Sequence, residues 1–118
     1  MNDPSTNVSA LRELVRDFVA ERRWERYHTP KNLSMALSVE VAELQEHFQW
    51  WDEREIATRL EDAEERRRVG EEIADIGAYL FSLVNALGMD LSELMADKMR
   101  KNALKYPAEG NQGEYRRP

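Results

Sequence analysis

The sequence predicts an all-α fold with four main helices in a bundle that is completed by oligomerisation. Charged residues make up 34% of the chain, against about 25% in an average globular domain. Residues that interrupt helices are few, with 5 Gly and 4 Pro among 118 residues. Apolar residues recur at intervals of three and four, the spacing of one helix face. Because the chain is short, we expect further copies of it to complete the core.

The first predicted helix covers residues 8–26 and is ended by the segment 27–30, because the residue before a proline is driven out of the helical region. The second helix covers residues 32–50. The segment 53–68 is almost entirely charged, which indicates a solvated helix or a helical connector. The third main helix covers residues 69–87, where the apolar spacing resumes.

Residue types at the following boundary predict where the third helix ends and the fourth begins. Gly88 is the expected cap of the third helix, since glycine readily adopts the left-handed conformation found there. Asp90 and Glu93 have the spacing of a capping box at the start of a helix. Pro107 ends that fourth helix.

The chain is predicted to be one helical domain, residues 8–107, between a flexible N-terminal segment, residues 1–7, and a polar tail, residues 108–118. Its net charge of −6 disfavours binding to nucleic acid or an anionic membrane. The absence of cysteine excludes disulfide scaffolds, Cys-ligated zinc and thiol nucleophiles. No apolar run approaches the roughly 20 residues of a membrane span, and no signal peptide is evident. We therefore expect a cytoplasmic protein without nucleic-acid or membrane partners.

Two pairs of acidic residues depart from the pattern of a solvated surface. On the second helix Glu40 points into the apolar stripe, and Glu43 lies one turn further on its flank. The third helix carries Glu72 and Asp75 at the same spacing, with Tyr79 on the same flank. Like charges on a half-buried face cost free energy unless a cation or a proton neutralises them. The acids therefore either bind a hard cation, Mg²⁺ or Mn²⁺, or pair with Arg and Lys across helices.

Five ordered segments carry a resemblance to a known family. They are 28–33 (HTPKNL), 40–43 (EVAE), 43–50 (ELQEHFQW), 72–75 (EIAD) and 98–107 (KMRKNALKYP). In these segments the chain resembles the all-α NTP pyrophosphohydrolases of the MazG-like superfamily, and most of all the small dCTP pyrophosphatase branch. The resemblance extends from about residue 11 to residue 107.

This resemblance implies an enzyme that cleaves a nucleoside triphosphate between the α and β phosphates, giving the monophosphate and pyrophosphate. It implies dCTP or a modified relative as substrate, a role in cleaning the nucleotide pool, and assembly as a dimer or a tetramer. It also implies that Mg²⁺ is held by Glu40, Glu43, Glu72 and Asp75. Among these, Glu43 is our candidate for the catalytic carboxylate that orients or deprotonates the attacking water.

A predicted phosphate contact lies on the fourth helix. Lys98, Asn102 and Lys105 are spaced so that they share one helix face, and the resemblance implies that this stretch closes over the substrate. Otherwise the lysines merely complement the helix dipole. The Tyr79 hydroxyl could reach a phosphate or the sugar, or belong to a tyrosine at the edge of the core.

Aromatic residues at helix ends suggest where a base would stack. The resemblance makes Trp24, His28, Phe48 and Trp50 the candidates for the base pocket, although such residues also serve in cores and interfaces. The doublet of Trp50 and Trp51 leaves open which ring faces inward.

Two alternatives remain at this stage. The same scaffold could act on dUTP or another non-standard nucleotide. A hypothesis from a different class is a non-catalytic helical oligomerisation or adaptor module, whose acids would be paired with arginines. Stabilisation by a metal ion and a nucleotide distinguishes an enzyme from such a module.

Overall fold

The computed structural model describes residues 1–113, and all regular structure in this part is helical, which confirms the predicted class. The five α-helices are α1 (Val8–Glu21), α2 (Pro30–Glu46), α3 (Glu53–Arg59), α4 (Ala63–Leu87) and α5 (Leu91–Lys105). Two 3-10 turns, Asp3–Ser5 and Glu25–Tyr27, precede α1 and α2, and the first of them lies within the predicted flexible segment. The predicted polar tail lies partly outside the described residues. None of the described helices is long and apolar enough to cross a membrane.

The first helix is shorter than predicted, because its end is set by backbone geometry rather than by Pro30. It ends at Glu21, and Arg23 adopts a left-handed conformation with φ of 54°. Such a residue cannot continue a right-handed helix. The Trp24 N–H donates to the Val19 carbonyl at 3.1 Å, so the last turn is closed by the chain that follows it.

The second helix begins earlier and ends earlier than predicted. Thr29 caps it, since its hydroxyl accepts from the Asn32 N–H at 3.2 Å, and Pro30 occupies the first turn, where no N–H is needed. The helix ends at Glu46. Beyond it the Phe48 N–H donates to the Gln45 carbonyl at 2.9 Å, a tighter three-residue turn.

The charged segment 53–68 does not form one connector. Its first part is α3, capped by Asp52, whose carboxylate accepts from the Glu55 N–H at 2.8 Å. Its second part belongs to α4, which begins at Ala63, six residues before the predicted start. Asp62 accepts from the Glu65 N–H at 2.9 Å and so caps this longer helix.

The predicted boundary between the last two helices is confirmed. Gly88 follows α4 with φ of 63°, a conformation that costs little for glycine. Asp90 caps α5 by accepting from the Glu93 N–H at 2.9 Å. The helix ends at Lys105, two residues before Pro107.

The structure divides into two compact units, Met1–Leu87 and the part from Gly88 onward. In the first unit α4 packs against both α2 and α1. The buried apolar side chains come from all three helices and are Val19, Leu33, Val69 and Val84. This small core holds α2 and α4 side by side, which places the acidic residues of the two helices next to each other.

We predict that Leu33→Ala lowers the free energy of unfolding by about 2–5 kcal/mol, because a nearly fully buried leucine leaves a cavity when truncated. Leu33 is 2% exposed. Urea unfolding followed by circular dichroism measures the change. The control is Leu104→Ala, at a side chain that is 81% exposed, for which we expect a change within about 0.5 kcal/mol. Equal losses in both variants would contradict the assigned core.

Candidate active site

The contact between α2 and α4 brings three of the four predicted acids together. One carboxylate oxygen from each of Glu40, Glu43 and Glu72 lies within 4.8 Å of the other two. We call these three residues the acid group. Asp75 is exposed and lies one turn after Glu72 on α4, outside this group, but its charge contributes to raising the pKa of Glu40. The spacing of three residues on α2 therefore brings both of its carboxylates to Glu72 of α4, whereas the same spacing on α4 does not bring Asp75 into the acid group.

Two members of the acid group, Glu40 and Glu72, are half-buried, and the three carboxylates are unfavourable as a set of negative charges. Burial, followed by the neighbouring carboxylate of Glu43, raises the pKa of Glu40 to about 7. The same two causes, in the same order, raise the pKa of Glu72. The Oε2 atoms of Glu40 and Glu72 are buried and have no hydrogen-bond partner among residues 1–113. Buried carboxylate oxygens without partners call for a proton or a cation.

Pairing with arginine or lysine does not neutralise these acids. Among residues 1–113, no ion pair includes any of the four predicted acids. On α4 itself, the cation of Arg67 pairs with Glu64 and Glu71 at the surface instead. The pairing expected of an adaptor module is therefore not observed in the described part of the chain.

The acid group fits a divalent hard cation. Mg²⁺ prefers oxygen ligands at about 2.0–2.1 Å in an octahedron, so two ligands on opposite sides are roughly 4.2 Å apart. Three oxygens within 4.8 Å of one another are close to that requirement. The buried oxygens without partners supply the second reason for the fit.

The His47 side chain belongs to a network that is separate from the acid group. Its Nδ1 atom lies 3.4 Å from Oε1 of Glu65, and Arg59 donates to the same oxygen at 3.3 Å. The hydrogen bond to His47 is the largest cause that lowers the pKa of Glu65. The Arg59 guanidinium also lies 4.3 Å from the centre of the Trp51 ring. This network ties the end of α2 to α3 and to the first turns of α4.

A cavity of about 330 Å³ lies in the same unit, within the usual size range of ligand pockets. Its lining combines apolar side chains with several polar groups and comprises Val15, Arg16, Val19, Glu25, His28, Ser82, Asn85 and Ala86. The Nδ1 atom of His28 is buried without a hydrogen-bond partner. Ser82 is a buried polar residue of α4.

One face of α4 links the acid group to this cavity. Residues 72, 75, 79, 82 and 86 follow one another at spacings of three and four, so their side chains lie on one side of the helix. Tyr79 is half-buried in the middle of this line. Ser82 lies ten residues after Glu72, which corresponds to about 15 Å along the helix axis.

The four aromatic candidates for the base pocket are not gathered within the single chain. His28 lines the cavity. Trp24 packs edge-on against Phe18, with ring centres 5.8 Å apart, and lines a separate groove of arginines. Phe48 is half-buried beside His47, and Trp50 is 78% exposed.

Sequence reasoning missed four polar residues of the cavity: Arg16, Glu25, Ser82 and Asn85. For Ser82 a signal was present, because it lies seven residues after Asp75 on the polar line of the third predicted helix. Arg16 and Glu25 gave no such signal among so many charged residues.

The predicted phosphate contacts lie on α5, in the second unit. Asn102 is half-buried, and its Nδ2 atom lies 3.8 Å from Sδ of Met99. The Lys105 ammonium lies 5.7 Å from the centre of the Tyr106 ring. Within residues 1–113, neither Lys98 nor Lys105 forms an ion pair with an acid. Their role in phosphate binding stays a prediction.

The all-helical fold and the acid group between α2 and α4 can now be compared with known protein families. The MazG-like family matches residues 35–116. The chain belongs to the MazG-like family, as its sequence motifs predicted.

Individual proteins agree with this assignment. The mouse (Mus musculus) protein dCTP pyrophosphatase 1 is 36% identical over 110 residues, which cover 93% of this chain and 65% of that protein. The human (Homo sapiens) protein of the same name is 38% identical over 89% of this chain and 62% of its own length. The chain thus spans less than two thirds of the length of these curated relatives. A crystal structure of a pyrophosphatase from Archaeoglobus fulgidus has a TM-score of 0.79 and 39% identity, covering 91% of this chain and 98% of that one.

We predict that the metal-free protein becomes less stable as the pH rises from about 5 to 8. Folded Glu40 keeps its proton up to a pKa of about 7, whereas the unfolded chain releases it near 4.5. Between these values the folded state binds more protons, so the free energy of unfolding falls with rising pH. Thermal unfolding in chelator should show a decrease in Tm of roughly 5 °C.

Two comparisons test the cause of this pH dependence. Glu40→Gln should flatten it, whereas Glu53→Gln, at an exposed acid on α3, should leave it unchanged. Added Mg²⁺ should stabilise the wild type more at pH 8 than at pH 5, because it then competes with fewer protons. An unchanged slope in Glu40→Gln would show that the acid group is not its source.

Proposed function

We propose that the protein is a Mg²⁺-dependent nucleoside triphosphate pyrophosphohydrolase. It converts dCTP or a modified dCTP to the monophosphate and pyrophosphate and thereby cleans the nucleotide pool in the cytoplasm. The observation that carries this proposal is the acid group, three neighbouring carboxylates, two of them half-buried, that no arginine or lysine neutralises within residues 1–113. Its relatives, named dCTP pyrophosphatase 1, support the choice of substrate.

The acid group and Asp75 serve to hold the metal. A triphosphate carries about four negative charges at neutral pH and would be repelled by bare carboxylates. Bound Mg²⁺, with Mn²⁺ as a substitute, reverses the local sign of charge, polarises phosphorus and lowers the pKa of water. Glu43 is exposed, unlike Glu40 and Glu72, so its carboxylate can reach the attacking water and orient it or accept its proton.

The cavity provides the place for the nucleoside. The polar line of α4 leads from Glu72 past Tyr79 to Ser82, and its length of about 15 Å suits a nucleotide extended along the helix. The Tyr79 hydroxyl then contacts a phosphate or the sugar. His28, with its buried free Nδ1 atom, contacts the base.

Several site residues rest on the family resemblance. Lys98, Asn102 and Lys105 are proposed to bind the phosphates through their shared face of α5. Trp24, Phe48 and Trp50 are proposed to complete the base pocket together with a second copy of the chain. The large exposure of Trp50 in the single chain supports an additional packing partner for this ring.

We predict that the protein releases pyrophosphate from dCTP in the presence of Mg²⁺ and none in chelator. Glu40→Gln and Asp75→Asn should each reduce kcat/KM strongly, because each removes a proposed metal ligand. Loss of a group that merely supports a metal ligand typically costs roughly 10–100-fold, and we expect at least this loss. Release is measured for a panel of dNTPs and NTPs.

The controls separate the proposed reaction from its alternatives. Glu53→Gln should retain full activity. Faster release from dUTP or another non-standard nucleotide than from dCTP would keep the reaction and change the substrate. A folded protein that releases pyrophosphate from no nucleotide, and that Mg²⁺ and nucleotide do not stabilise, would refute the proposal in favour of a non-catalytic adaptor module.

A homodimer or homotetramer is the proposed assembly. Ile73, Leu80 and Leu87 of α4 are exposed and lie at intervals of seven residues, which places them on one face. We call these residues the α4 stripe. A monomer rarely leaves such an apolar row in contact with water. Neighbouring helices α1 and α2 also expose large apolar side chains, including Phe18 and Met35.

We predict that sedimentation gives two or four times the chain mass of 13.8 kDa. Leu80→Glu should shift the protein toward monomer, because it places a charge within the apolar interface. Ala57→Glu, at an exposed position of α3, should leave the assembly intact. A monomeric wild type at micromolar concentration would exclude the assembly.

A further inference from the structure

Asn85 links α4 to α1 through three hydrogen bonds at the wall of the 330 Å³ cavity. Its Oδ1 atom accepts from Nε of Arg12 at 2.8 Å and from Nη2 of Arg16 at 3.1 Å. Its Nδ2 atom donates to the Arg12 carbonyl at 3.2 Å. The orientation of the amide is fixed by chemistry, since a flipped amide would direct its NH₂ group at two guanidinium donors. Asn85 thereby sets the position of Arg16 beside the cavity.

The Oδ1 acceptor of Asn85 is neutral, so it does not compensate the positive charges of Arg12 and Arg16. Within residues 1–113, neither Arg12 nor Arg16 forms an ion pair with an acid. A guanidinium has five N–H donors and no acceptor. Arg16 lines the cavity, and it uses one of its donors on Asn85. Its remaining donors are available to a ligand that offers lone pairs.

The same cavity also contains a side chain that accepts hydrogen bonds and carries a negative charge. Glu25, at the start of the 3-10 turn before α2, lines it with a carboxylate that can only accept hydrogen bonds when ionised. No ion pair within the described residues occupies Glu25. The cavity therefore presents one donor-only and one acceptor-only side chain, while Ser82 and His28 can do either.

We propose that Arg16 and Glu25 read the edge of the pyrimidine ring, with Asn85 as the positioning residue for Arg16. This inference rests on the proposed function and adds the residues that select the base. Arg16 donates to the ring carbonyl of cytosine, and Glu25 accepts from its exocyclic amino group. In uracil and thymine a second carbonyl replaces that amino group and faces the carboxylate. An acceptor against an acceptor loses the hydrogen bond that the amino group makes, and this loss disfavours the analogue. Arg16 and Glu25 are exposed in the single chain, so water reduces the penalty and the expected discrimination is modest.

The decisive variant is Glu25→Gln, because an amide can donate to a carbonyl as well as accept from an amino group. We expect it to lower the ratio of kcat/KM for dCTP to that for dUTP about tenfold, largely by improving dUTP. Arg16→Met keeps the length of the side chain and removes its donors. It should raise KM for both nucleotides about tenfold with little change in kcat.

The variant Asn85→Asp distinguishes a role of Asn85 in positioning Arg16 from a role in stabilising the fold. The new carboxylate still accepts from both arginines but cannot donate to the Arg12 carbonyl as Nδ2 of Asn85 does. We therefore expect a modest decrease in Tm, while the new charge neutralises Arg16 and draws it onto the helix. We expect KM for dCTP to rise several-fold at nearly constant kcat. An unchanged KM would refute the positioning role of Asn85.

The matched controls are Glu13→Gln, at an exposed acid of α1 outside the cavity, and Arg54→Met on α3. Both should preserve the dCTP-to-dUTP ratio. If the wild type cleaves dCTP and Glu25→Gln leaves that ratio unchanged, the inference is refuted while the proposed function stands. Calorimetric binding of dCMP and dUMP to the same variants gives an answer that does not need hydrolysis. Preference for dCMP that depends on Glu25 supports the inference even in a protein that cleaves nothing, and equal binding of both refutes it.

Discussion

The central constraint on the first unit is that its apolar core must overcome the mutual repulsion of carboxylates at the contact between α2 and α4. Packing of Leu33 and Val69 into the core holds Glu40 and Glu72 close to each other, and their partial burial weakens the screening of their charges by water. The favourable burial of apolar surface thus sustains an unfavourable arrangement of acids. A proton or a cation would relieve this repulsion without moving the helices, which is the basis of the proposed metal site.

Local periodicity made much of this arrangement predictable. The all-α class and the direction of the acid pairs follow from spacings of three and four residues, which depend only on helix geometry. Glycine and aspartate at 88 and 90 likewise act on their immediate neighbours. Such features are encoded within a single turn, so a sequence without its structure already contains them.

Features that depend on distant parts of the chain were not predictable in this way. Arg23 ends α1 through a left-handed backbone conformation that its residue type does not indicate. The link between Arg16 and Asn85 joins residues 69 positions apart and requires the relative stagger of α1 and α4. The aromatic residues illustrate the same limit. His28 and Trp50 both belong to the segments that carry the family resemblance, yet His28 lines the cavity and Trp50 is 78% exposed.

The uninterrupted course of α4 has a consequence for how phosphate number is distinguished. A single helix of 25 residues carries both the acids and one wall of the cavity, so the distance between them is as stiff as the helix itself. Under the proposed function, α4 fixes the distance that a bound nucleotide must span between the cavity and the acids. A nucleotide with fewer phosphates is too short to fill the cavity and reach the acids at the same time. Discrimination against the monophosphate product then follows from length alone, which lets the product leave once the chain of phosphates has been cut.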